Sequence, residues 1–358
     1  MAQFQLSQAN DLLVPMHLYK STHFALDNSY IYDVTANSSH VIVSASNNQI
    51  KLYNPETLSI ANTLVYHNEK ITKIKPVGEH ELFSASLDGQ IARWDLRTNN
   101  VVQQFKAAPS SVSAFDINCN GTVIAAGSEL EAHDAKLMFL DTRTSQMLAS
   151  FDESHSDDIT EINYHPTIPH QLISASTDGL ICQFDTSTYD EEENIIAVIN
   201  SGSSVNKAGY FGPSAEYIYC LTHIETLSLH NLEGDVVSNF GDIRQATQPG
   251  QLQVDYAVDC RYEPVAQRLY MLTGSNSGDI NVMHVNIGQL QLCQSLKGGH
   301  TEVIRSIHWN PQDNVMFSGG EDAKLCTWSN APPPADATGN GVVRGLPSRM
   351  QTKRHSPY

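Results

Sequence analysis

HNEKITKIKPVGEHELFSASLDGQIARWD, residues 67–95, carries a grammar that the chain uses three times. His67 leads an alternating apolar run, a second run ELFSAS follows, and Leu87-Asp88-Gly89 turns the chain into IARWD. Alternation with a period of two marks half-buried strands, and Asp-Gly between two such runs is a hairpin signal. The pattern returns as His155, ITEINYHP, QLISASTDG and ICQFD, and again as His300, IRSIHWNP, VMFSGGEDA and LCTWS. In each copy an isoleucine stands four residues after the histidine. In each, the turn aspartate (Asp88, Asp178, Asp322) precedes an aromatic residue (Trp94, Phe184, Trp328) by six. Such shared spacing identifies a structural repeat, and a repeat decides the architecture before any single element does.

Aligned on the last aromatic, the third strands fall at Tyr53-Asn54, Trp94-Asp95, Leu140-Asp141, Phe184-Asp185, His230-Asn231, Met283-His284 and Trp328-Ser329, 41 to 53 residues apart. This pattern resembles the WD40 repeat. The resemblance implies an all-β, seven-bladed propeller in which histidine, strand serine, turn aspartate and strand tryptophan form a hydrogen-bonded relay. Here the relay residues are His67, Asp88 and Trp94, then His155 and Asp178, then His300, Asp322 and Trp328. The chemistry is reasonable, because a buried indole N–H needs an acceptor, and a serine hydroxyl can accept it while donating to an imidazole. These His/Ser/Asp sets are therefore read as structural although they look like hydrolase parts. The segments AFDINCN (114–120), ESHSDDITEINYHP (153–166), STDGLICQFD (176–185) and GGHTEVIRSIHWNPQDNVMFSGGEDAKL (298–325) are similar to the WD repeat-containing protein 89 family, collinearly over roughly residues 30–330. That likeness supports fold and class and transfers no catalytic residue.

The expected organisation is a flexible N-terminus at 1–10, one propeller over 11–330 and a disordered basic tail at 331–358. A propeller closes when an N-terminal strand completes its last blade and removes the exposed edge; this strand is placed at Leu12–Tyr19. Blades 5 and 6, YIYCLTHIETLSLHN and LYMLTGSNSGDINVMHV, lack the full relay set and are expected to be the less rigid sector. Insertions interrupt the period at GSELEAHDAK in blade 3, at YDEEEN after the third strand of blade 4, and at GDIRQATQPGQLQ before blade 6. In repeat proteins such insertions map to loops, often on a binding face.

With 21 basic against 39 acidic side chains, the net charge is −18. Four of the basic residues and one of the acidic ones lie in the tail, so the remainder carries −21. Such a surface argues against DNA or an anionic membrane as a direct partner, since phosphate contacts need clustered Lys and Arg. Six scattered cysteines with no C-x-x-C pair suggest buried reduced thiols rather than disulfides or zinc. No secretory signal or membrane span is evident, so the sequons at Asn37 and Asn120 are expected to stay unmodified in an intracellular chain of the cytoplasm or nucleus.

Glu129, His133 and Asp134 could ligate a metal, but an acidic loop is more simply solvated. Metal-protease, P-loop and nucleophile-elbow motifs are missing. No enzyme activity, cofactor, metal or small-molecule substrate is expected. A binding role has better support. In the WD40 arrangement the loops between second and third strands and the loops between blades share the top face, which gathers Glu129, Glu131, Asp134, Asp152, Glu153, Asp157 and Asp158. Charges within a Debye length of about 8 Å reinforce one another and steer a basic partner. The expected function is thus a non-catalytic scaffold or adaptor, a monomeric propeller within a complex, docking a basic protein of the ribosomal-protein or histone class. The alternative rests on Trp94-Asp95-Leu96-Arg97 and its echo ending in Arg143. W-D-x-R resembles the box by which some WD40 proteins join the adaptor of cullin-RING ubiquitin ligases, and would make the chain a substrate receptor.

Overall fold

Seven sheets, each built on four antiparallel strands and one carrying a fifth, arise where the alternating runs lie, and the computed structural model describes them through residues 4–24, 29–107 and 111–332. The innermost strands are Ile31–Ala36, Ile71–Val77, Ala114–Ile117, Ile159–Tyr164, Val205–Phe211, Tyr256–Glu263 and Ile304–Asn310. Each is followed by two further strands of its blade and, in blades 1 to 6, by an outer one. Blade 2 shows the local logic: Ile71–Val77, Glu81–Ser86, Gln90–Asp95 and Asn100–Lys106 follow the alternation of the quoted stretch. Gly89 takes φ +76° in its tight turn and Gly179 takes φ +88° in the equivalent turn of blade 4. That region costs a residue with a Cβ, which is why glycine recurs there.

All seven third-strand sites occupy one structural position, including those without tryptophan. Opposite each, the outer strand carries a one-residue bulge: Tyr19, Ala61, Val102, Leu148, Ile196, Val237 and Cys293 are the skipped residues. A bulge adds local twist, which a blade needs in order to fan outward from the axis. The core is distributed between blades. Trp94, for example, packs with Ile42, Leu52, Ile71, Ile74 and Leu82 at the junction of blades 1 and 2.

Closure comes from the N-terminus, with a boundary that differs from expectation. The closing strand is His17–His23, antiparallel to Lys324–Ser329 of blade 7. Leu12 and Leu13 instead pack against the cluster of blades 6 and 7 in which Met16 is buried, so their apolarity reflects packing rather than strand pairing. The flexible N-terminus expected at 1–10 holds a strand within its described residues. Gln5–Gln8 is a fifth strand on blade 6, parallel to Gln289–Leu296, and Phe4 is buried against Phe240 with ring centroids 6.3 Å apart. The strand is polar because it joins an outer edge through its backbone and faces solvent. Blades 5 and 6 share a cluster that also takes in Phe4, then Ile243, Ala246 and Leu252 from the insertion before blade 6, and Val254 just after it. Packing by added segments thus stands where the relay is lacking. The tail expected at 331–358 lies outside the described residues beyond Pro332.

Deleting residues 1–16 should lower the melting temperature but leave a soluble propeller, because the closing strand survives. Deleting 1–23 opens blade 7 and should give aggregation, read by light scattering at the melting transition. A monomeric, undiminished 1–23 deletion would refute this account of closure.

Candidate protein-docking site

The relay is formed in full in two blades. His67 Nδ1 lies 3.0 Å from Asp88 Oδ2 and its Nε2 lies 2.8 Å from Ser84 Oγ, to which Trp94 Nε1–H donates at 2.9 Å. In blade 7 the equivalent distances are 3.0 Å to Asp322, 2.7 Å to Ser318 and 2.8 Å from Trp328. Blade 4 keeps His155 between Asp178 (3.0 Å) and Ser174 (2.7 Å), but Phe184 has no donor to add. Burial opposes ionisation of Asp322, yet its bond to His300 and two backbone amides hold the carboxyl at about 2. Burial pushes the His67 imidazole down against the pull of Asp88. These histidines are buried, so the sets brace the blades and present no nucleophile to solvent.

Two rings of side chains line the central channel, a cavity of about 320 Å³. Counting starts from the buried residue at or beside the start of each inner strand: Ile31, Ile71, Val112, Ile159, Val205, Ala257, Ile304. Two positions on stand Asp33, Lys73, Ala114, Glu161, Lys207, Asp259 and Ser306. Four positions on stand Thr35, Lys75, Asp116, Asn163, Gly209, Arg261 and His308. Lys73 reaches past the small Ala114 to Glu161, whose other oxygen takes Lys207 at 2.7 Å. Lys75 pairs with Asp116, whose second oxygen accepts the Tyr164 N–H at 2.8 Å. Asp33 accepts from Ile74 N–H (3.0 Å) and Ser306 Oγ (2.9 Å), joining blades 1, 2 and 7. At Gly209 a Cβ would fall 2.7 Å from the Tyr219 ring, so glycine lets that tyrosine reach Asp259, 3.0 Å away. Burial opposes the charge on Glu161, but Lys207 and Lys73 overcome it and hold the carboxyl at about 2. Burial alone decides for Asp33, which is raised. Sequence reasoning missed this network. Its signal was present as charged residues within otherwise apolar first strands.

Five of the seven expected acidic residues lie in connections at the top end, and two lie elsewhere. Glu129, Glu131 and Asp134 lie in the connection from Gly127 to Ala135 of blade 3, and Asp157 and Asp158 lie between blades 3 and 4. Glu129 and Asp158 border a pocket of about 230 Å³ beside Lys70, Asn206 and Lys207. Asp158 Oδ1 accepts the Leu130 N–H at 2.7 Å, tying the two connections together, and Glu129 accepts from Ser111 Oγ at 3.3 Å. Glu131 lies 3.5 Å from Lys136 Nζ, while Asp134 is exposed. Asp157 accepts the N–H of Asp158. Asp152 and Glu153 belong to the outer strand Met147–His155, on the rim rather than the top. Their N–H groups donate to Glu191 at 2.9 and 3.0 Å, in a helical turn (Glu191–Asn194) from the blade 4 insertion. Among the described residues no group of three or more His, Cys, Asp or Glu is placed to hold a metal, the Glu129–His133–Asp134 set included. All six cysteines are free, and five are buried.

Arg97 and Arg143 lie at the opposite end, after the third strands of blades 2 and 3. Each arginine is folded onto its own aspartate, Arg97 on Asp95 at 2.9 and 2.7 Å and Arg143 on Asp141 at 3.4 and 2.7 Å. The Arg97 side-chain bond, its N–H and its charge hold the Asp95 carboxyl at about 2. To engage an adaptor, either guanidinium would first have to release that carboxylate. Among the described residues no helix is long and apolar enough to cross a membrane.

The family model for the WD domain, G-beta repeat, matches residues 290–329, the last repeat. The chain is 32% identical to WD repeat-containing protein GTS1 of Arabidopsis thaliana over 342 residues, covering 89% of this chain and 86% of that protein. It is 27% identical to the WD repeat-containing protein 89 homolog of Dictyostelium discoideum, covering 93% and 92%. Pre-mRNA-processing factor 19 of Mus musculus is 25% identical over 57% of this chain and 39% of that protein. A relative nearly a third identical along most of both chains, and seven blades with bulges at one shared position, establish that the chain belongs to the WD40-repeat β-propeller family.

Proposed function

We propose that this protein is a docking platform whose acidic top sector on blades 3 and 4 receives a basic protein partner, of the ribosomal-protein or histone kind, in the cytoplasm or nucleus. WD repeat proteins serve as protein-interaction scaffolds and are generally non-catalytic, which fits a chain whose His/Asp/Ser sets are buried inside its blades. The observation that carries the reading is the Glu129–Asp134 loop. It stands outside the repeat grammar, is tied by Asp158, and lines the top pocket through Glu129. Charges at such a rim act mainly by steering association.

Neutralising Glu129, Glu131 and Asp134 together (E129Q/E131Q/D134N) should slow association with the partner captured from cells while leaving the fold intact. The loss should shrink as salt rises, because exposed charges are screened. Surface plasmon resonance at two salt concentrations checks it. Unchanged association at low salt would remove this sector, and a salt-independent loss would indicate a packed contact instead.

A further inference from the structure

We infer that the lower part of the central channel is a binding site for a tetrahedral oxyanion of the phosphate class, held between Arg261 and His308. The cations of the channel set the contrast. Lys73 and Lys207 are both ion-paired to Glu161, Lys75 to Asp116, and Arg305, towards the top, to Glu321 at 2.7 Å. Arg261 has no ion pair and no hydrogen-bonded side chain among the described residues, and it is exposed to the channel opening. The channel carboxylates are turned elsewhere. Asp33 binds Ile74 and Ser306, Asp116 binds Lys75 and Tyr164, Glu161 binds two lysines, and Asp259 accepts from Tyr219 and from its neighbour Cys260.

His308 stands at the same level on the next inner strand, and its ring likewise makes no hydrogen bond among the described residues. Burial first, then the Arg261 charge, lowers its imidazole to about 4, so near neutrality the ring is uncharged and keeps one N–H to donate. A guanidinium fork beside an imidazole N–H is donor geometry that suits phosphate oxygens. Lys75 and Asp116, at the same level, pair with each other, and Gly209 contributes no side chain there. The negative charge of the whole protein works against anions, so this site depends on short-range contacts.

Full-length protein with labelled arginine and histidine would be titrated with sodium phosphate at constant ionic strength and followed by NMR. A free anion and a phosphorylated side chain offer the same oxygens, so a phosphoserine peptide forms a second arm. Saturable shifts of the Arg261 Nε and His308 ring signals by either probe, with a rise in the His308 pKa, support the site. Arg261→Gln should weaken binding at least tenfold, whereas Arg97→Gln, at an exposed arginine of the same end, should leave it unchanged. Non-saturating shifts with both probes, or equal losses in the two variants, would overturn the assignment. Far-ultraviolet circular dichroism confirms that each variant is folded, which is expected because the Arg261 side chain makes no ion pair or hydrogen bond among the described residues.

Discussion

Glu161→Gln should destabilise the propeller by about 3–5 kcal/mol, the range for removing one member of a buried ion pair. Glutamine retains the shape but leaves the Lys73 and Lys207 ammonium groups facing each other with no carboxylate between them. Lys73 and Lys207 are raised above the ordinary lysine range, for Lys207 chiefly through Glu161. The loss therefore comes from uncompensated charge as well as from a missing bond. Converting Lys73, Glu161 and Lys207 together to methionine should cost far less, since well-packed apolar replacement of a buried ionic triad is often neutral. Urea midpoints of the two variants check this. Equal losses would mean that packing, not charge, holds the channel.

The same carboxylate sets a pH window. Its folded value of about 2 lies below the ordinary 4.5, so its contribution is complete above about pH 4.5 and is lost as pH falls towards 2. His308 acts in a higher window. Held at about 4 against 6.5, it binds its proton more readily in the unfolded chain, and stability falls between those values as acid is added. The stability difference between wild type and Glu161→Gln should accordingly narrow from pH 4.5 downward. A constant difference would contradict the depressed Glu161 value.

Trp94→Ala should cost about 3–5 kcal/mol, as emptying a large buried site does. The indole is 3% exposed, meets the Tyr66 ring edge-on at 6.1 Å, and is the donor that Ser84 accepts while its own hydroxyl serves His67. Its removal opens a void between blades 1 and 2 and leaves Ser84 short of one partner. Asp95→Ala, one residue on, should move the denaturant midpoint little, since Asp95 only closes a solvent-facing turn with Arg97. Equal losses in the two variants would mean that the Trp94 cavity is refilled by its neighbours.

Strand order, blade count and the position of each third strand were legible because they follow from local periodicity. Alternation fixes which face of each strand is buried, and the Asp-Gly turns fix where it reverses; neither depends on distant residues. The degenerate sites at Leu140, His230 and Met283 could be placed for the same reason, spacing being preserved where tryptophan was not. Polarity hid the added strand Gln5–Gln8, since an edge strand held by backbone bonds has no apolar signature. Leu12 and Leu13 drew the closing strand too early because packing beneath a blade and pairing within one favour the same residues. The channel network depended wholly on closure. Lys73 and Glu161 are 88 residues apart, and Asp33 and Ser306 are 273 apart. Only the circle of blades brings such residues within hydrogen-bond reach and decides which channel charge, at Arg261, has no ion pair among the described residues.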